Sequence, residues 1–258
     1  MRRDMERPSG IRLTAVQATW LLGGIIGIPL GILSAQSFGT DVGLRFALYL
    51  VAICALASVA LRALRRRIGP EPNRWATLLT LSRLVTGCAL AAFVLAGPRD
   101  RMRLATIVIW ALVVLTATAS DWLDGPLGRR EGPTRFASSL DIESDSWLTL
   151  WSAMAAILLG GLPWIALLPP VVRYIHPLLT LREGKVPVGG GPWWSRVTGM
   201  TQMAVLMAAF APVTGHVRDT IFGIVIWPVS LAQLATMLAL LAMRLPKRRQ
   251  PPLSVSAN

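Results

Sequence analysis

Charge is scarce in this chain of 258 residues: Asp, Glu, Lys and Arg make up only 15% of it, against 53% hydrophobic residues. With a mean hydropathy of +0.55, that deficit excludes an ordinary soluble domain and implies an integral membrane protein. Long polar blocks are missing as well, so no second soluble domain fits. The core is the one that helices form by packing together in lipid. Internal repeats of solenoid length are absent. Cysteine is limited to Cys54 and Cys88, both inside apolar runs, which argues against a disulfide or a thiolate metal site. The charge that remains is lopsided, with a net of +13 and a pI near 11.5. Such a balance suggests nucleic acid, but the arginines fall in short loops between hydrophobic runs rather than along one soluble face. The positive-inside rule accounts for most of them, and no nucleic-acid partner is expected.

The apolar runs predict an all-α, polytopic membrane helical bundle of eight spans. The first two, near 14–34 and 44–64, form an N-terminal hairpin, with a short loop containing Asp41 between them. The first run follows Arg2, Arg3, Arg7 and Arg12. It is too long for a signal segment, has no convincing cleavage site, and is read as a retained helix. A basic, proline-containing linker follows (Arg62, Arg65, Arg66, Arg67, Pro70, Pro72). Six further spans are expected near 75–96, 104–120, 146–160, 163–181, 197–213 and 220–243. The expected organisation is therefore 1–72 for the hairpin and linker, 73–245 for a six-helix domain, and 246–258 for a disordered cytoplasmic tail. Eight spans put both termini on one side, where nineteen basic residues then lie, against five opposite. That asymmetry predicts cytoplasmic termini in a cell inner membrane. Three of the five opposing arginines, Arg99, Arg101 and Arg103, crowd one outer loop.

Between the fourth and fifth spans lie Asp121, Asp124, Gly125, Pro126, Gly128 and Arg129, then Ala137, Asp141, Glu143 and Asp145. The i, i+3 and i, i+4 spacings put each pair of aspartates on one helical face. Two acidic pairs joined by a tight loop repel unless cations sit between them, and hard divalent cations with oxygen ligands are the natural occupants. This predicts a metal-diphosphate site at the cytoplasmic rim, with Asp145 in the first turn of its helix. Aspartates at a helix start are often only caps. Four acids, a glycine and an arginine in register between two spans are not explained that way. Glu143 falls off the Asp141 and Asp145 face and is expected to be solvated.

The pattern D-x-x-D-G-x-x-G-R over 121–129, followed by A-x-x-x-D-x-x-x-D over 137–145, resembles the signature of the CDP-alcohol phosphotransferase family. Gly128 stands where that family has alanine, and Ala137 where it has glycine; both keep the backbone approachable, although Ala137 adds a methyl group. The resemblance extends over the last six spans: Asn73, Thr80 and Arg83 are similar to the family's first core helix, and Ser195, Arg196 and Gln202 to the start of its fifth. It implies an enzyme of phospholipid synthesis that transfers a phosphatidyl group from CDP-diacylglycerol to a small polar alcohol and releases CMP. It further implies two Mg2+ or Mn2+ ions, a homodimer with an active site inside each subunit, and membrane lipids as partners. By resemblance Asp121, Asp124, Asp141 and Asp145 are metal ligands and Asp145 is also the general base. Gly125, Gly128, Arg129, Ala137, Asn73 and Thr80 would meet the nucleotide and its diphosphate.

Two charges fall inside predicted spans, where an unpaired cation is costly. Arg83 either faces the cavity, as a candidate for binding the acceptor, or snorkels. Arg173, near proline kinks, is expected to contact the acceptor or a phosphate, with His176 as a packing partner. Arg135, Arg182, Lys185 and Arg196 could recognise a phosphorylated acceptor, glycerol 3-phosphate or an inositol phosphate, although the positive-inside rule predicts them anyway. Two other readings compete. An intramembrane prenyltransferase also uses aspartates and magnesium on a diphosphate, but on well-separated helices, whereas both motifs here lie within 25 residues. A cation transporter or non-catalytic relative should hold its acids near mid-membrane, not at span ends.

Overall fold

The computed structural model describes residues 13–69, 75–98, 100, 102–131, 135–159, 161–174, 193–210 and 216–244, with the backbone alone described at 121, 122, 124–131, 135, 196, 210, 216–221, 241, 243 and 244. Among them every regular element is helical. In chain order these are α1 (Ala15–Phe38), α2 (Thr40–Ile68), α3 (Trp75–Ala96), α4 (Leu104–Glu131) and α5 (Arg135–Leu158). A 3-10 turn (Trp164–Leu167) then runs directly into the helical residues 168–174, here α6, followed by α7 (Trp193–Phe210) and α8 (His216–Arg244). Helices α1, α2 and α3 and the 222–240 part of α8 are long and apolar enough to cross a bilayer; residues 104–120 of α4 form a shorter apolar stretch. Large apolar side chains such as Ile28, Leu48, Leu56, Ile224 and Leu238 point outward. Such a surface is costly in water and suits lipid. The chain is an all-α polytopic membrane protein, its regular elements all helices among the described residues.

Helix α1 starts with a capping box: the Thr14 hydroxyl accepts from the Gln17 amide at 3.2 Å, while the Gln17 side chain accepts from the Thr14 amide at 2.9 Å. The loop expected around Asp41 shrinks to Gly39, whose φ of 103° turns the chain directly from α1 into α2. The two helices can run this far because their backbones nearly touch: a Cβ on Gly43 would lie 2.5 Å from the Ala35 Cβ. Asp41 falls in the first turn of α2 and Arg65, Arg66 and Arg67 in its last, signs that complement the helix dipole.

Helix α3 is the central element. It packs against α1, α2, α4 and α5, and its stretch 88–94 is buried on every side. One core cluster joins Leu30 of α1 and Phe46, Leu50 and Ile53 of α2 to Leu90 and Phe93 of α3, Ile109 and Val113 of α4 and Leu148 of α5. Cys54 and Cys88 lie in it as free, buried thiols. A second cluster joins α5, the 3-10 turn, α7 and α8. The indole Nε1 of Trp110 donates to the Met207 carbonyl at 2.9 Å, fastening α4 to α7.

Candidate functional site

The tight loop expected between the aspartate pairs falls on 132–134, outside the described residues; what differs from expectation is where the helices end. Helix α4 continues through 121–131 and α5 begins at Arg135. Asp121, Asp124, Gly125, Gly128 and Arg129 therefore belong to the last turns of α4, and Asp141 and Asp145 lie six and ten residues into α5 rather than at its start. Near lipid the i to i−4 ladder is the cheapest way to satisfy backbone groups.

On α5, Ala137, Asp141 and Asp145 recur at i, i+4 and i+8 and form one stripe, with Leu148 continuing it into the core. That stripe meets the face of α3 that carries Thr80, Arg83 and Gly87, also spaced three and four residues apart. The close approach depends on Gly87: a Cβ there would lie 2.6 Å from Cδ1 of Trp147 and 3.4 Å from the Leu148 Cα. One turn away, Nη1 of Arg83 donates to Oδ1 of Asp141 at 2.9 Å and also to Oδ1 of Asp145. The arginine side chain is 4% exposed, the two aspartates 45% and 39%. The cation thus comes from the protein interior and the carboxylates open outward on their other side.

This pair fits a divalent cation in the chemistry of its donors: two carboxylate Oδ1 atoms, on successive turns of one rigid helix, converge on a single positively charged nitrogen. Among the described residues no group of three or more His, Cys, Asp or Glu assembles such a site. The side chains of Asp121, Asp124, Arg129, Arg135 and Arg196 lie outside the described residues, as do Asn73, His176, Arg182 and Lys185 altogether.

Arg83 does not snorkel; it is 3% exposed and turned inward. The sequence left that choice open, although the small Gly87 one turn on was a signal for a close helix contact on that face. The Thr80 hydroxyl, also buried, donates to its own helix at the Ala76 carbonyl, 3.0 Å away. Arg173 on α6 is half-buried, with Nη2 3.5 Å from the Ile142 carbonyl, on the flank of α5 beside the aspartate stripe. Glu143 is not the solvated acid expected. It is half-buried three residues ahead of the apolar stretch that begins at Ser146, and burial raises its carboxyl above the ordinary range while Arg173 partly offsets this. Gln202, fully buried, reaches the Ala166 carbonyl of the 3-10 turn at 3.4 Å and so serves packing.

Fold and site together define a helical membrane protein in which two half-exposed aspartates of one helix are held by a buried arginine of another. Residues 73–244 match the family model of the CDP-alcohol phosphatidyltransferases, so the chain belongs to that family, whose members transfer a phosphatidyl group from a CDP-alcohol. No curated protein and no solved structure matches it.

Proposed function

We propose that the protein moves a phosphatidyl group from CDP-diacylglycerol to a small polar alcohol, glycerol 3-phosphate or an inositol phosphate, releasing CMP at the cytoplasmic face of a cell inner membrane. The observation that carries this reading is the convergence of Asp141 and Asp145 on one cationic point, inside the matched region. Asp121 and Asp124, one helical turn apart at the end of α4, would complete the ligand set for two Mg2+ or Mn2+ ions. Bound there, such ions offset the negative charge that builds on the phosphoryl oxygens and on departing CMP.

The residues of the chain do the rest. Arg129 and the small Gly125, Gly128 and Ala137 would receive the diphosphate and its nucleotide. Asp145 would take the proton of the acceptor hydroxyl as that oxygen bonds to the phosphatidyl phosphorus and the bond to the CMP oxygen breaks. A carboxylate offers lone pairs on two oxygens, so an arginine on Oδ1 does not exhaust it. Arg135, Arg173, Arg182 and Arg196 are the candidates for the acceptor's own phosphate. A prenyltransferase reading has no support from the family matched. The hairpin, six-helix domain and tail, the homodimer and the cytoplasmic placement of both termini stay part of this proposal. The test is to incubate the purified protein with CDP-diacylglycerol, Mg2+ or Mn2+ and each alcohol in turn, measuring CMP. Release with one phosphorylated alcohol supports it. Silence with glycerol 3-phosphate, inositol phosphate, serine and choline alike, in protein that still binds metal, overturns the acceptor assignment.

A further inference from the structure

We propose that Arg83 is an internal counter-ion that occupies the Asp141 and Asp145 pair until a divalent cation displaces it, and so sets the affinity of the site for metal. The inference rests on the reading of these carboxylates as cation ligands.

Three observations carry it. A single nitrogen, Nη1, bridges Oδ1 of both aspartates, so the guanidinium sits on the very atoms a bridging cation would use. Two positive charges cannot share that pair of oxygens without strong repulsion in a half-buried cleft. The two cations also arrive from opposite sides: the arginine is 4% exposed and rooted in α3, whereas the carboxylates are 45% and 39% exposed. A metal ion therefore has an approach that the arginine does not block. Finally, α3 and α5 are locked close together one turn away, where Gly87 admits Trp147 and Leu148. The guanidinium cannot leave by the helices parting; it leaves by changing rotamer along its own flexible stem. Without metal it holds two like charges on adjacent turns in register; with metal that task passes to the ion. Arg83 is thus a positioning residue acting through the aspartates.

The experiment titrates Mn2+ into the metal-stripped, full-length protein in nanodiscs and reads free Mn2+ by electron paramagnetic resonance, for wild type, Arg83→Gln and Arg83→Lys. Thermal unfolding is followed with and without Mn2+. Arg83→Gln is expected to bind Mn2+ about tenfold more tightly than wild type. Without metal it unfolds at a lower temperature, and saturating Mn2+ closes that gap. Arg83→Lys keeps the charge, and with it the fold, but its shorter stem does not bring Nζ as far as the point Nη1 occupies between the carboxylates; it tightens binding by a smaller factor. A residue with a merely structural role would leave affinity unchanged or weaken it. If wild type binds Mn2+ and neither variant binds it more tightly, the counter-ion role is overturned while the metal site stands. If wild type binds no Mn2+ at all, the metal site itself fails and this inference falls with it.

Discussion

Replacing Gly87 by alanine tests whether the α3 and α5 contact sets the geometry of the cleft. The new Cβ would stand 2.6 Å from Cδ1 of Trp147, 3.3 Å from its Nε1 and 3.4 Å from the Leu148 Cα. An ordinary carbon contact lies at about 3.5–4.0 Å, so about 1 Å must be found. The Trp147 ring has little room to yield, because it stacks edge-on against Trp151 with centroids 5.7 Å apart. Overpacking of this kind costs about 1–3 kcal/mol, and the gain in helix propensity from Gly to Ala returns about 1 kcal/mol of it. The net loss of stability is therefore small, about 0–2 kcal/mol by these two figures. Activity should suffer more, since Arg83 is one turn from the wedge and Asp145 two residues from Trp147; a misplacement of about 1 Å near reacting groups costs on the order of 100-fold. The assay is CMP release from CDP-diacylglycerol beside thermal unfolding. The control is Gly24→Ala, where a Cβ meets nothing within 4 Å. Wild-type CMP release by Gly87→Ala would refute the claim that this contact positions the site.

Asp145→Asn should keep the fold and measurable Mn2+ binding while losing CMP release by on the order of 100-fold or more, the usual range for a lost general base; unchanged turnover would remove Asp145 from that role. Chelation of divalent ions should abolish CMP release and re-addition of Mg2+ or Mn2+ should restore it, with activity in excess chelator as the contrary result. Trp110→Phe deletes the hydrogen bond to the Met207 carbonyl and should lower stability by about 1 kcal/mol in an unfolding titration, with CMP release retained because Trp110 lies about three turns of α4 before Asp121.

Hydropathy made most of the architecture legible. The third helix was placed at 75–96 from the sequence and forms as Trp75–Ala96, because an apolar run bounded by polar, proline-bearing segments has no other way to satisfy its backbone in lipid. Composition reads poorly where helices end. The fourth span was expected to end near 120, yet α4 runs on to Glu131, and a loop foreseen around Asp41 became the single residue Gly39. Helix ends here are decided by packing between neighbours, such as Gly43 on Ala35, which no local propensity encodes. The same holds for the site. The i, i+4 stripe of Asp141 and Asp145 was plain from spacing, but its partner is 58 residues away from Asp141 in sequence. Nothing local says that Arg83 faces inward. Glu143 departs from the solvated position its spacing predicts for a related reason: periodicity shows which face a residue leaves, not that Arg173 on α6 lies beside the face it turns to.

The N-terminal hairpin had no chemistry to assign from sequence, and its place in the core gives it a mechanical role. Phe46 of α2 is fully buried and belongs to the cluster that contains Leu90 and Phe93 of α3, while Phe38 of α1 meets Phe93 edge-on at 6.1 Å. Helix α3 is thus clamped between the hairpin on one side and α5, with Asp141 and Asp145, on the other. Truncating Phe46 to alanine opens a cavity on the hairpin side. A cavity of that kind costs about 3–5 kcal/mol in a soluble core; lipid is as apolar as the site that is lost, so only packing is forfeited and a smaller value follows. The expected result is a clear drop in unfolding temperature and a several-fold loss of CMP release, because α3 gains freedom and Arg83 is carried on it. A stability loss with fully retained activity would show that the hairpin braces the bundle without reaching the cleft.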